Sequence, residues 1–194
     1  MPKRKLDRQL ARTIRIIAGF LVLFWAIELA DYLIFRHALD GYGIQPRVLI
    51  GLRGIFFAPF LHGGFEHLAA NSVPFAVLGG LVLMRKEGDF WRATVFAALI
   101  GGLGTWLFGK TGSVHIGASG LVFGYFGFLL AAAWLERSLR SVLVAALVVF
   151  LYGGIVYGLS PLQPLVSWQG HLFGMLGGIE AAYGLGGKRR KARQ

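Results

Sequence analysis

The chain has no cysteine, which excludes disulfide staples, thiolate metal sites and a cysteine nucleophile. It is also poor in charge. Only 15% of its 194 residues are Asp, Glu, Lys or Arg, against about 25% in an ordinary soluble domain. Acidic residues are the scarcest, nine against 20 Lys and Arg. Apolar bulk takes their place: 56% of residues are hydrophobic and the mean hydropathy is +0.63. Weakly charged runs long enough to cross about 30 Å of hydrocarbon recur along the chain. The expected fold class is therefore an all-α, multi-pass membrane protein with a single transmembrane domain.

The net charge of +11 raises nucleic acid as a partner, but the distribution of that charge points to topology instead. Sixteen of the 20 basic residues fall in four places: Lys3 to Arg15, Arg85 to Arg92, Arg137 to Arg140, and Lys188 to Arg193. Spans are expected at about 13–35, 65–84, 91–108, 119–135, 141–159 and 168–185. Six spans put both termini and the two basic turns on one side, as the positive-inside rule requires. Anionic lipid headgroups are then the natural neighbours of the basic ends, and nucleic acid is not an expected partner. The organisation is a basic cytoplasmic segment at 1–12, a six-helix domain at 13–187 and a basic cytoplasmic tail at 188–194. The first apolar run is too long for a cleaved signal peptide and lacks a small-residue cleavage site. Short basic ends without a transit-like leader favour a prokaryotic plasma membrane. Residues 36–64 are too broken for a span and too apolar for a free loop, so a partly immersed interfacial segment is expected.

Gly117-Ala118-Ser119-Gly120 places a hydroxyl in a glycine-rich turn at the head of the fourth span. A nucleophilic serine needs a base, and His171 opens the sixth span. Gly170, Gly174 and Gly178 form one smooth face there, and Gly120, Gly124 and Gly127 lie near one face of the fourth span. Two such faces let helices approach closely. Ser119 stands 17 residues before Glu136, and His171 stands 17 residues before Lys188. At a rise of about 1.5 Å per residue the two sit at similar height, roughly 25 Å from the inner boundary. A hydrogen-bonded Ser119–His171 dyad is compatible with that spacing.

His67 and Asn71, at i and i+4 on the second span, bracket the same height. They suit two roles: oxyanion donors together with the Ser119 N–H, or a polar clamp between helices. Glu28 and Asp31 lie near the far end of the first span, where they are expected to face polar neighbours or water. Neither they nor Glu66 receive a role, and no carboxylate is placed to orient His171. A metal site is not expected, since His62 and His67 are spaced i, i+5 and form no His-Glu-x-x-His motif. A transporter is disfavoured because the three-span halves show no internal repeat.

Taken together, Gly117-Ala118-Ser119-Gly120, His67-x-x-x-Asn71 and His171-x-x-Gly174-x-x-x-Gly178 resemble the rhomboid intramembrane serine proteases, in the right order over the six-span core. The resemblance implies a rhomboid-like six-transmembrane-helix bundle with Ser119 as nucleophile and His171 as general base. It implies His67, Asn71 and the Ser119 N–H as the oxyanion site, and His62 as a further histidine of the site. It also implies that 36–64 is the membrane-edge loop and that the loop around 160–166 caps the site and moves. Substrates would be transmembrane proteins, cut without a cofactor at a site opening to the external side. Two positions depart from the family pattern. Leu52-Arg53 stands where Trp-Arg is common, and Phe123 stands where tyrosine is common, still able to pack on His171. The rival reading is an inactive rhomboid-like protein that binds client helices.

Overall fold

The computed structural model describes residues 3–163 and 166–191. Among them are six long helices: α1 (Lys3–Ala30), α3 (Phe65–Arg85), α4 (Glu87–Phe108), α5 (Ser119–Glu136), α6 (Leu139–Tyr152) and α7 (Trp168–Lys191). A single-turn helix, α2 (Gly54–Phe57), lies in the first connection. The described residues contain no β-strand, only one antiparallel bridge between Ile44 and His115. Leu6–Phe35, Phe65–Arg85, Glu87–Phe108, Ser119–Glu136 and Leu139–Leu159 are each long and apolar enough to cross a membrane. The sixth helix, α7, is wedged between α4 and α5.

Glycine explains that central position. A Cβ on Gly174 or Gly178 would run into the backbone of Gly120 or Gly124, and one on Gly177 would meet the backbone of Phe96. Lipid tails provide no hydrophobic drive between spans, so close backbone packing between small residues holds them together. α5 is the most enclosed helix, with Leu121 to Leu129 buried without interruption. Beside it an aromatic core forms from Phe24, Phe75, Phe90, Tyr125 and Phe128. α6 touches chiefly α5 and leaves residues such as Phe150 turned outward.

Several boundaries differ from expectation. α1 begins at Lys3 rather than near 13, because its first turns dock on the α3–α4 turn. Gln9 Nε2 donates to the Met84 carbonyl at 2.6 Å, and Arg12 pairs with Glu87 at 2.8 Å. The end of the first span is a π-helical turn, Asp31–Phe35. α4 starts at Glu87, whose carboxylate and that of Asp89 suit a helix N-terminus. The fifth span leaves the α conformation at Tyr152 and tightens into a 3-10 helix over Gly153–Leu159, where Gly153, Gly154 and Gly158 weaken the α preference. α7 continues to Lys191, so part of the expected tail is helical. Glu28 and Asp31 do not face water; each is 1% exposed.

On the side of the basic turns, Arg85 grips Glu136 with two hydrogen bonds of 3.0 and 2.9 Å. The first connection runs through short 3-10 turns and α2. Leu49, Ile50, Phe56 and Phe57 point outward, as in a segment lying in the membrane interface. Arg53 anchors it despite the missing tryptophan, donating to the Gly41 carbonyl at 3.1 Å and lying 4.1 Å over the Tyr42 ring.

Candidate active site

Ser119 is the first residue of α5, and the turn before it is built for close approach. Gly117 adopts φ +113°, a conformation open to glycine and strained for other residues. A Cβ there would also lie 2.7 Å from the His67 ring. The Gly117 N–H donates to the Ala58 carbonyl at 2.8 Å, which ties the turn to the first connection. The Ala118 N–H points at His62 Nε2, 3.4 Å away. Helix starts leave their first N–H groups without intrahelical partners, so the Ser119 region presents donors to the site.

His171 lies in the first turn of α7 and is 8% exposed. Its Nε2 is 2.8 Å from Ser119 Oγ, and its Nδ1 is 2.9 Å from the Gly158 carbonyl oxygen. A carbonyl only accepts, so Nδ1 carries the proton and Nε2 is left with a lone pair for the serine hydroxyl. The ring stacks on Phe123 at 4.1 Å and 9°. Two contacts therefore fix the imidazole: a backbone carbonyl in its plane and an aromatic face beneath it. The 3-10 geometry of Gly153–Leu159 delivers the Gly158 carbonyl, in the orienting position where a catalytic triad has a carboxylate.

His67 and Asn71 flank Gly117 on the other side. The Asn71 amide donates to the His67 carbonyl at 3.0 Å, and His67 Nδ1 receives the Gly63 N–H at 3.3 Å. His62, 1% exposed, packs 5.3 Å from the His67 ring. Burial first, and then the neighbouring His67, push its pKa down to about 4, so His62 is neutral and accepts from the turn. Gly120 and Gly174 meet backbone to backbone just below the dyad.

Three polar groups that the motifs do not reveal stand behind Ser119. His115 Nδ1 is 2.7 Å from Ser167 Oγ, and its Nε2 is 2.9 Å from Ser113 Oγ. Burial pushes the His115 imidazole below its usual pKa. His115 and Ser167, with Thr105 and Gly170, line a cavity of about 50 Å³ that reaches Ser119, room for a few waters at roughly 10–15 Å³ each. The only signal in the sequence was a histidine four residues ahead of the serine. Pro164 and Leu165, within the expected capping loop, lie outside the described residues.

The structure shows a multi-pass helical membrane bundle with a serine and a fixed imidazole at the head of two abutting helices. Comparison with known proteins gives the family. The model of the rhomboid domain matches residues 51–188. An uncharacterised protein of Mycobacterium tuberculosis is 43% identical over 185 residues, covering 91% of this chain and 77% of its own length. YdcA of Bacillus subtilis, whose curated name proposes a rhomboid protease, is 28% identical over 165 residues, 84% of this chain and 81% of its own. The rhomboid protease GluP of the same organism is 29% identical over 177 residues, 88% of this chain and 34% of its own. The chain belongs to the rhomboid family of intramembrane serine proteases.

Proposed function

We propose that this chain is an active intramembrane serine endopeptidase that cuts peptide bonds in or near transmembrane segments of other membrane proteins. Ser119 is the nucleophile and His171 the general base. The observation that carries this reading is the 2.8 Å Ser119 Oγ–His171 Nε2 contact, with the imidazole tautomer set by Gly158.

His171 Nε2 takes the serine proton as Oγ attacks the scissile carbonyl carbon. The carbonyl oxygen becomes an oxyanion, stabilised by the Ser119 N–H and by His67 and Asn71. Collapse breaks the C–N bond, and His171 returns the proton to the leaving amine. An ester to Ser119 remains. A water then attacks it, again losing its proton to His171, and the acid product leaves with Ser119 restored. Water at this depth has to be admitted, and the cavity that reaches Ser119, largely apolar but with His115, Ser167 and Thr105 in its wall, supports that step. A substrate helix hides its peptide groups in i to i−4 hydrogen bonds, so small or helix-breaking residues near the cut favour cleavage. With the basic runs inside, both termini are cytoplasmic and the site opens to the external face.

The test is cleavage of a single-span model substrate by purified protein in detergent, beside Ser119→Ala and His171→Ala. Loss of cutting in both, with thermal unfolding preserved, is the expected result. Cutting that survives Ser119→Ala refutes the mechanism. If the wild type neither cuts nor labels at Ser119 with a fluorophosphonate, the client-binding reading replaces it.

A further inference from the structure

The carboxylates at the end of α1 take no part in this chemistry, yet they are buried. Glu28 and Asp31 are each 1% exposed and, being i and i+3, share one face of the helix. Past them the chain reverses through Arg36 and His37, both left-handed with φ of 51° and 66°. This reversal folds the 3-10 turn Ala38–Tyr42 back over the helix end. Asp40 and His37 thereby return to Asp31, and one ligand atom from each lies within 4.8 Å of the others.

The cluster is short of positive charge. Asp31 Oδ1 accepts the Leu39 N–H at 3.0 Å, but Asp40 Oδ1 and Glu28 Oε1 are buried without a hydrogen-bond partner. Glu28 stands one turn before Asp31 on the same helix face and is as deeply buried. The His37 imidazole faces Asp40. Among the described residues no Lys or Arg forms an ion pair with these carboxylates. Buried carboxylates turned on one small space need a proton or a cation. An imidazole nitrogen beside carboxylate oxygens favours the cation. Metal–ligand bonds of about 2.0–2.6 Å put opposite ligands roughly 4–5 Å apart, which matches the cluster.

We propose that Asp31, His37 and Asp40, backed by Glu28, bind one divalent cation of mixed nitrogen and oxygen preference, Mn²⁺ or Zn²⁺. Carboxylates alone would suit Ca²⁺ or Mg²⁺, and the imidazole shifts the preference. Asp40 is half-buried and His37 exposed, so the ion enters from the rim. The ion clamps the 38–42 turn to α1. Through Glu28, which lies against the Gly64 N–H, it also steadies the start of α3, three residues before His67. The role is structural, since no residue of the cluster contacts Ser119 or His171.

The test uses the full chain in detergent, stripped with a chelator. Equilibrium dialysis measures bound Mn²⁺, Zn²⁺, Ca²⁺ and Mg²⁺, and thermal unfolding is followed in parallel. One equivalent of Mn²⁺ or Zn²⁺ is expected, with a raised midpoint. Asp40→Asn and His37→Ala should each weaken binding about tenfold or more. Asp31→Asn alters a buried position and could fail to fold, so the decision rests on the two rim variants. Absent binding, binding unchanged in both rim variants, or a preference for Ca²⁺ over both Mn²⁺ and Zn²⁺ overturns the proposal.

Discussion

Replacing Gly174 by alanine adds one methyl where α5 and α7 come closest. The new Cβ would run into the Gly120 carbonyl oxygen, and stand 2.9 Å from the carbonyl carbon and 3.0 Å from the Cα. Carbon atoms rest at about 3.5–4.0 Å, so α7 has to retreat by roughly 0.5 Å or more. His171 lies one turn before Gly174, and Ser119 is the neighbour of Gly120. The retreat therefore opens the dyad, taking 2.8 Å to about 3.3 Å or beyond, the edge of a useful hydrogen bond. Misplacement on the 1 Å scale costs about 100-fold in rate, so a loss of roughly 30- to 100-fold is expected, with about 1–3 kcal/mol of stability lost to overpacking. The assay is turnover of a single-span substrate in detergent, with thermal unfolding as the folding check. Gly19→Ala is the control. Its Cβ meets nothing within 4 Å, so activity should hold while helix preference adds about 0.5–1 kcal/mol. A folded Gly174→Ala protein that keeps more than half its activity refutes the reasoning.

Phe123→Ala removes the face on which His171 stacks, worth about 0.5–1.5 kcal/mol. Turnover should drop up to about tenfold, Phe123→Tyr should restore it, and failure of tyrosine to rescue counts against stacking as the cause. Above pH 6.5, His62 is neutral in both folded and unfolded chains. With a folded pKa of about 4 against 6.5 unfolded, acid protonates the unfolded chain first. Stability therefore falls between pH 6.5 and 4, by up to about 3 kcal/mol from this group. His115, also lowered by burial, acts in the same direction. Thermal midpoints across that window should decline less steeply in His62→Gln, and an identical slope rules His62 out as a main source. Arg85→Ala leaves Glu136 without its two-bond partner between α3 and α5. Chemical unfolding should show a loss of about 2–3 kcal/mol, while a loss below half of that would mean the pair is well solvated.

The helices and their order were legible, and five of the six expected spans are long and apolar enough to cross a membrane among the described residues, because hydropathy and charge are one-dimensional quantities. A run either matches the thickness of the hydrocarbon or does not, and the basic turns sort to one side. Span ends were less legible. The start of α1 depends on Gln9 and Arg12 finding the α3–α4 turn, a contact between residues far apart in sequence. The end of α6 depends on a change of helix type at Gly153. The candidate site shows the same division. Ser119, His171, His67 and Asn71 stand out as polar residues in apolar helices, and small residues around them mark where helices can meet. The Gly158 carbonyl carries no side-chain signature, so no motif could reveal that a backbone atom orients His171.

From the residues alone came a multi-pass helical protein, the order of its helices, the glycine faces and the polar residues set among them. Those properties reside in single residues and their local spacing. Tertiary packing was needed to bring Nε2 of His171 to hydrogen-bond distance of Ser119, and to set His115 and Ser167 in the wall of a cavity that reaches it. It alone brought Asp40 back to Asp31. Each of these depends on where separate segments stop and turn, at Gly117, at Gly153 and at Arg36–His37. Backbone dihedrals at such points set the directions of whole helices, and a difference of one residue there moves side chains by several ångströms.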